Sequence, residues 1–279
     1  LPSALATGDI TPSNLRAVGL LPFVYLFPAL GLSALARLAS RFLPWKRLSF
    51  DVSHLGFVVS VLVALSAWTS VSYFTDWAVS PALYYAADGD MAAIAAYLNQ
   101  TELSSTTVYA GSRHYRHPTM AFLARDYSDV RWLTDGATVV VPGEGDGLLV
   151  YARSVSEHLG WIEQLLPEDG LVASPDGPDG EPAYHAFRVG GGSEMAPAHR
   201  LVADLGHAVL VEGYDVEGEP RAGETVDTAV WWRVLNPPAE GDYVAVARLV
   251  DAWGFVWGEA FPFHYPSEQW TAGERVIDL

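Results

Sequence analysis

Cysteine is absent from the 279 residues. That excludes disulfides, thiolate metal sites and a cysteine nucleophile, while leaving the compartment open. No Gly-x-Ser-x-Gly, His-Glu-x-x-His, Walker A or Gly-x-Gly-x-x-Gly stretch occurs either. A self-contained hydrolase or nucleotide enzyme therefore has no support. Positive charge is scarce: 16 Lys and Arg stand against 33 Asp and Glu, for a net −17. Residues 1–75 carry Arg16, Arg37, Arg41, Lys46 and Arg47 against Asp9 and Asp51, a net +3, so the remainder holds −20. A part so acidic lacks the basic footprint that nucleic acid requires. No internal repeat period stands out.

Charge is missing altogether from two long runs. Leu55 to Phe74 (LGFVVSVLVALSAWTSVSYF) is twenty residues without one charge, and ten of them are Leu, Val or Phe. About twenty helical residues cross a hydrocarbon core of roughly 30 Å. At about −0.3 to −0.6 kcal/mol each, the ten large apolar residues supply roughly −3 to −6 kcal/mol of insertion free energy. The competing reading is a buried core helix. Ala17 to Ala36 (AVGLLPFVYLFPALGLSALA) is a second uncharged run, in which Pro22 and Pro28 are tolerable as membrane-helix kinks. A signal peptide cleaved after Ala34-Leu35-Ala36 competes there, but the basic residues follow the run instead of preceding it.

Between the runs, residues 37–54 hold four of the five basic residues of this region, whereas 75–90 has none. Basic loops stay cytoplasmic. The expectation is a membrane hairpin over 1–80, with spans at 17–36 and 55–74. Residues 37–54 then lie in the cytoplasm and 76–279 outside the bacterial cytoplasmic membrane. Trp45 near one face, and Trp68, Tyr73 and Trp77 near the other, suit the interfacial aromatic belts.

The rest divides by pattern. Helices are expected at 88–100 (apolar Met91, Ile94, Ala95 and Leu98, with Asp88 or Asp90 as cap), 117–127 and 154–167. Strands are expected at 106–112, 129–133, 137–142, 147–152 and 184–189. Together these predict an α/β layered domain over 81–189. Gly190 to Pro197 reads as a flexible joint. Strands at 208–216, 225–235, 242–251, 255–263 and 274–279 then predict an antiparallel β-sandwich over 198–279. The chain starts at Leu1 and stops at Leu279 inside an apolar run, so a fragment with a truncated sandwich is expected.

The densest candidate site is the loop Arg113, His114, Tyr115, Arg116, His117, between a strand and a helix start, where α/β sheets place ligand loops. Two Arg and two His there suit an anion or sugar phosphate, and a lone His-x-x-His is a weak metal signal. The competing reading is a solvated loop that starts a helix. Asp176, Asp179 and Glu181 lack the calcium-loop spacing and read first as turns. Asn99-Gln100-Thr101 fits a glycosylation sequon that chance explains. Trp232, Trp257 and Trp270 are the candidates for stacking on sugar, with core packing as the rival reading. No metal or cofactor is expected.

Two stretches carry a family resemblance. AAYLNQ with TTVYAGSRHYRHPTMAFLARDYSDVRWLTDGATVVVP resembles the extracytoplasmic domain after the last membrane helices of bacterial family 39-type glycosyltransferases. These are GT-C enzymes similar to protein mannosyltransferases and aminoarabinose transferases. ETVDTAVWWRVLNPPAEGDYVAVARLVDAWG and YPSEQWTAGERVIDL resemble the β-sandwich appended to some of them. The resemblance implies sugar transfer from a polyprenyl-phosphate carrier to an extracytoplasmic acceptor. It also implies contact with the bilayer and with an N-terminal membrane body, and a lipid-linked sugar or glycan acceptor nearby. The family's catalytic acids lie near its first membrane helices and match no stretch here, so no catalytic residue is assigned. The chain then reads as a non-catalytic C-terminal part. Two alternatives are a membrane-anchored module that binds a glycan or a partner, and a purely structural envelope protein.

Overall fold

The computed structural model describes 26, 27, 29–31, 33, 34, 37 and 38, and then 50–279 without 194, 219–223, 238–245 and 261–263. Most of the expected span 17–36 and of the basic loop 37–54 lies outside the described residues. Two compact units emerge, Leu1–Val79 and Ser80–Leu279.

In the first unit, a helix over Phe50–Val71 runs on as a π-helical turn, Ser72–Trp77. Gly56–Trp77 is long and apolar enough to cross a membrane, and none of its most apolar window is buried. A core helix of a soluble protein would bury one face; this one leaves Val63, Trp68 and Val71 exposed. Its hydroxyls turn inward on the backbone: Ser60 Oγ donates to Gly56 O at 2.8 Å and Thr75 Oγ1 to Val71 O at 2.7 Å. Such i−4 bonds satisfy polar side chains where no water is available. Two such helices are expected, and among the described residues this is the one helix long and apolar enough to cross a membrane.

The second unit has three layers. A mixed sheet is ordered β2-β1-β4-β6-β5, from β1 (Thr106–Ser112), β2 (Arg131–Thr134), β4 (Asp146–Ala152), β5 (Leu171–Ala173) and β6 (Tyr184–Gly190). β1 runs parallel to β2 and β4, and β6 is antiparallel to β4 and β5. Side chains alternate faces along a strand. Val108, Ala110, Leu148, Val150 and Ala186 join the cluster that holds Met91, Ile94, Ala95 and Leu98 of the helix Gly89–Leu98. Tyr109, Leu149, Tyr151, Phe187 and Val189 join a second cluster with Val140, Trp232 and Val276. Burial on both faces is why 148–152 reads as an unbroken apolar run.

The second sheet is antiparallel, ordered β3-β12-β9-β8-β7, from β3 (Thr138–Val141), β7 (His199–Leu205), β8 (Val209–Val216), β9 (Thr228–Val234) and β12 (Arg275–Asp278). Two expectations are corrected here. The sequence pattern puts the 137–142 strand in the α/β sheet, yet β3 pairs with the last strand, Val140 opposite Val276. The alternation at 242–251 and 255–263 predicts two strands of the sandwich. Instead β10 (Ala247–Val250) and β11 (Val256–Ala260) form a separate two-stranded hairpin. The joint at 190–197 links the sheets without dividing the unit, because both sheets contribute to one core. Tyr151 reaches across the core to donate to Thr138 O at 2.6 Å. Gly111 makes room for that ring, since a Cβ there would lie 2.7 Å from Tyr151 Cδ1.

The helices are shorter than expected. The 117–127 helix spans Pro118–Leu123, and 154–167 splits into a 3₁₀ stretch, Arg153–His158, and a helix, Leu159–Leu165. The open edge of β2 is covered: Trp132 N donates to Gln269 Oε1 (2.7 Å), Gln269 Nε2 to Trp132 O (3.1 Å) and Thr134 N to His264 O (2.7 Å). A side-chain amide thus replaces a neighbouring strand and blunts an aggregation-prone edge.

Candidate functional site

Ser112 ends β1 and Ala152 ends β4, two parallel neighbours. Their carboxyl ends form the crevice where open α/β sheets hold ligands. The chain fills it with its own carboxylate. Asp90, 1% exposed in the first turn of Gly89–Leu98, accepts from Met91 N at 2.8 Å and Ser154 N at 3.1 Å. A phosphate arriving there would meet a buried anion already satisfied by backbone donors.

The expected anion loop is likewise spent on structure. Arg113 Nη2 donates to Ser154 O at 3.1 Å. His117 is the N-cap of Pro118–Leu123, its Nδ1 accepting from Thr119 N at 3.3 Å, with Nε2 3.7 Å from Asp88 Oδ1. That geometry assigns the proton to Nε2. Thr119 also donates to Asp88, at 2.9 Å. Arg116 has φ +55° and lies over the Tyr115 ring, whose hydroxyl donates to Glu268. The His114 and His117 rings are 5.9 Å apart, and among the described residues no three acidic or imidazole groups gather as a metal site. Replacing His117 with alanine is expected to cost about 1 kcal/mol of stability, the ordinary cost of a lost helix cap. Urea unfolding of the purified chain checks this, and a loss above about 3 kcal/mol would contradict a simple cap.

The acidic turn at 176–182 is likewise structural. Asp179 pairs with Arg153 Nη1 at 2.6 Å and accepts from Tyr85 OH at 3.0 Å, while Arg153 lies over the Tyr85 ring. Of the three candidate sugar-stacking residues, Trp232 (2% exposed) and Trp270 (5%) are core, their rings 4.8 Å apart. That burial corrects their assignment to sugar stacking. Trp257 alone is open, 72% exposed on the hairpin with Trp253 and Phe255 beside it. Its Nε1 donates to Asp251 Oδ2 at 3.1 Å, and Asp251 Oδ1 takes Trp253 N and Phe255 N, which holds the hairpin turn.

Sequence reading missed a buried knot centred on Glu274. Its Oε1 accepts from Tyr109 OH at 2.7 Å and from Arg131, and its Oε2 from Thr271 N at 2.8 Å and Tyr265 OH at 3.1 Å. Burial pushes the Glu274 carboxyl up, against the lowering by Thr271 N–H, Tyr109 and Arg131; burial and Glu274 push Tyr109 up as well. Through Tyr109 and Arg131 this carboxylate ties the first sheet to the end of the chain. No local signal marks it, because Tyr109 and Arg131 come from two strands more than a hundred residues away, beside the nearby Tyr265 and Thr271. Protein-family models, curated proteins and solved structures all give no match to the chain.

Proposed function

We propose that the chain is a membrane-anchored, non-catalytic part of a polytopic bacterial glycosyltransferase. That enzyme moves a sugar from a polyprenyl-phosphate carrier to an extracytoplasmic acceptor. Ser80–Leu279 is its accessory unit on the outer side of the cytoplasmic membrane. The transferase part rests on the family resemblance of 95–142 and 224–279. The observation that carries the rest is the exposed, apolar helix Gly56–Trp77, whose one acidic residue is Asp76 near its end, preceded by a basic segment and followed by an acidic compact unit. The candidate loop supports a non-catalytic role: Arg113, His117 and Asp90 are each engaged in caps or backbone bonds. A second reading, a membrane-anchored binding module without an enzyme, draws on the open aromatic hairpin around Trp257.

The lack of cysteine makes a clean topology test possible. In intact cells, a membrane-impermeant maleimide is expected to label Ser104→Cys, which is exposed, and to reach Ser40→Cys only after lysis. The reverse pattern would sink the orientation. Transferase membership is read separately. Membranes carrying the whole reading frame should transfer sugar from polyprenyl phosphate, and removal of 80–279 should reduce acceptor use. Absence of any such transfer leaves the binding module.

A further inference from the structure

A cleft of about 720 Å3 opens on the antiparallel sheet. Along β12 and the residue before it, Arg275 and Ile277 alternate with Glu274, Val276 and Asp278, and Glu274 takes the Tyr109 hydroxyl of the first sheet. Arg275 and its cross-strand partner Arg233 therefore lie on the opposite face of the sheet. Met195, Pro197, Val202 and Leu210 supply apolar walls to the cleft, and Arg200, Arg233, Arg275 and Glu212 its charges. Arg275 and Arg233 sit directly opposite each other in register, an unfavourable like-charge pair unless an anion intervenes.

One anion does. Glu212 lies at the bulge between Val211 and Gly213, where an extra residue re-aims a side chain. It accepts from Arg275 Nε at 2.7 Å and from Arg233 Nη2. Gly213 permits the tight approach of the neighbouring segment, since a Cβ there would meet His199 O at 2.2 Å and Pro197 Cγ at 2.5 Å. Arg275 spends its remaining reach on Met195 O (3.1 Å) and Ser193 O (3.3 Å).

The balance does not close. Three guanidinium groups face one carboxylate, a local net of +2 in a chain of net −17. Arg233 Nε is buried with no hydrogen-bond partner, and Arg200 has no ion pair among the described residues. A buried donor without a partner costs about 1–3 kcal/mol. Guanidinium groups present planar forks that match an oxyanion.

We infer that this cleft binds an organic oxyanion, a phosphate or carboxylate held between Arg200 and Arg233, with an apolar or ring portion against Met195, Pro197 and Leu210. Glu212 acts as a positioning residue. It accepts from both Arg233 and Arg275 and so holds the two guanidinium groups in place beside the cleft. The inference requires neither the transferase reading nor the membrane orientation.

The test is calorimetric titration of the full chain in detergent micelles with phenyl phosphate, benzoate, inorganic phosphate and neutral phenyl glucoside. Phenyl phosphate or benzoate is expected to bind saturably with Kd of about 1 mM or tighter. The neutral glucoside should not bind, and inorganic phosphate should bind more weakly because it lacks the apolar part. Arg233→Gln and Arg200→Gln should each weaken binding about tenfold or more, and raised salt should weaken it further. Arg200 is exposed and bonded to nothing described, so its variant folds even if Arg233→Gln does not. Equal affinity of Arg200→Gln and the unaltered chain overturns the inference. So does a cleft that takes up solvent ions only, with no saturable binding of either aromatic anion.

Discussion

Replacing Glu274 with glutamine is expected to destabilise Ser80–Leu279 by about 3–5 kcal/mol, the usual consequence of removing one partner of a buried ion pair. Glu274 is 1% exposed and takes two tyrosine hydroxyls, a backbone N–H and the Arg131 guanidinium. Glutamine keeps the volume but offers a single acceptor oxygen and brings in two donors among donors. The Arg131 side chain is 27% exposed, so some water reaches its charge and the loss belongs at the lower end of the range. Two further variants separate charge from packing. Tyr109→Phe removes one hydrogen bond and should cost about 1 kcal/mol. Arg131→Met combined with Glu274→Leu removes both charges and should recover much of the glutamine loss. Denaturant unfolding followed by near-UV circular dichroism reads all three. A loss below about 1 kcal/mol for Glu274→Gln would show that the two sheets do not depend on this carboxylate.

The parts legible in the sequence are those where the physics is local. An uncharged run needs no partner to be recognised, and the helix long and apolar enough to cross a membrane lies where that run lies. Met91, Ile94, Ala95 and Leu98 recur at helical spacing, and all four are buried on one helix. Register between distant strands carries no such local mark. Thr138–Val141 is apolar without alternation, so nothing in it shows which sheet it joins; its partner is the last strand of the chain. The strands at 242–251 and 255–263 alternate as sandwich strands do, but among the described residues Ala247–Val250 and Val256–Ala260 pair with each other in a sheet of their own. The same limit governs the sites. The loop 113–117 is dense in cations and easy to notice, yet its side chains serve caps and backbone carbonyls. Arg200, Arg233, Arg275 and Glu212 come from four strands, and only the fold brings them to one cleft. Trp232 and Trp257 are alike in sequence, and packing alone makes the first core and leaves the second open.

The fully buried carboxyl of Asp278 makes stability depend on pH in an unusual direction. Burial pushes its pKa from 3.8 up to about 7, against the lowering by the Thr138 hydroxyl, the Trp232 indole and the His264 backbone N–H. The bonds are short, 2.6 Å from Thr138 Oγ1 and 2.9 Å from Trp232 Nε1. Between about pH 4 and 7 the folded chain keeps a proton that the unfolded chain has released. Stability from this group is thus fully present below pH 3.8, falls as pH rises through 7, and is level beyond. A shift of about 3 units corresponds to about 4 kcal/mol across that window. Glu274, also raised, adds a trend of the same sign. His185 and His264, both lowered by burial, act oppositely, since their stabilisation is lost as pH falls below 6.5. The difference between wild type and Asp278→Asn isolates the carboxyl, because asparagine still accepts from the indole and does not titrate. Relative to wild type, the asparagine variant should gain about 3–4 kcal/mol between pH 4.5 and pH 8. A difference that stays flat over that range would mean that Asp278 is ionised throughout and that its three donors outweigh burial. If the unit lies outside the cytoplasmic membrane, it meets the pH of the surroundings directly, and this buried acid then ties β12 to its neighbours β3 and β9 best where that pH is low.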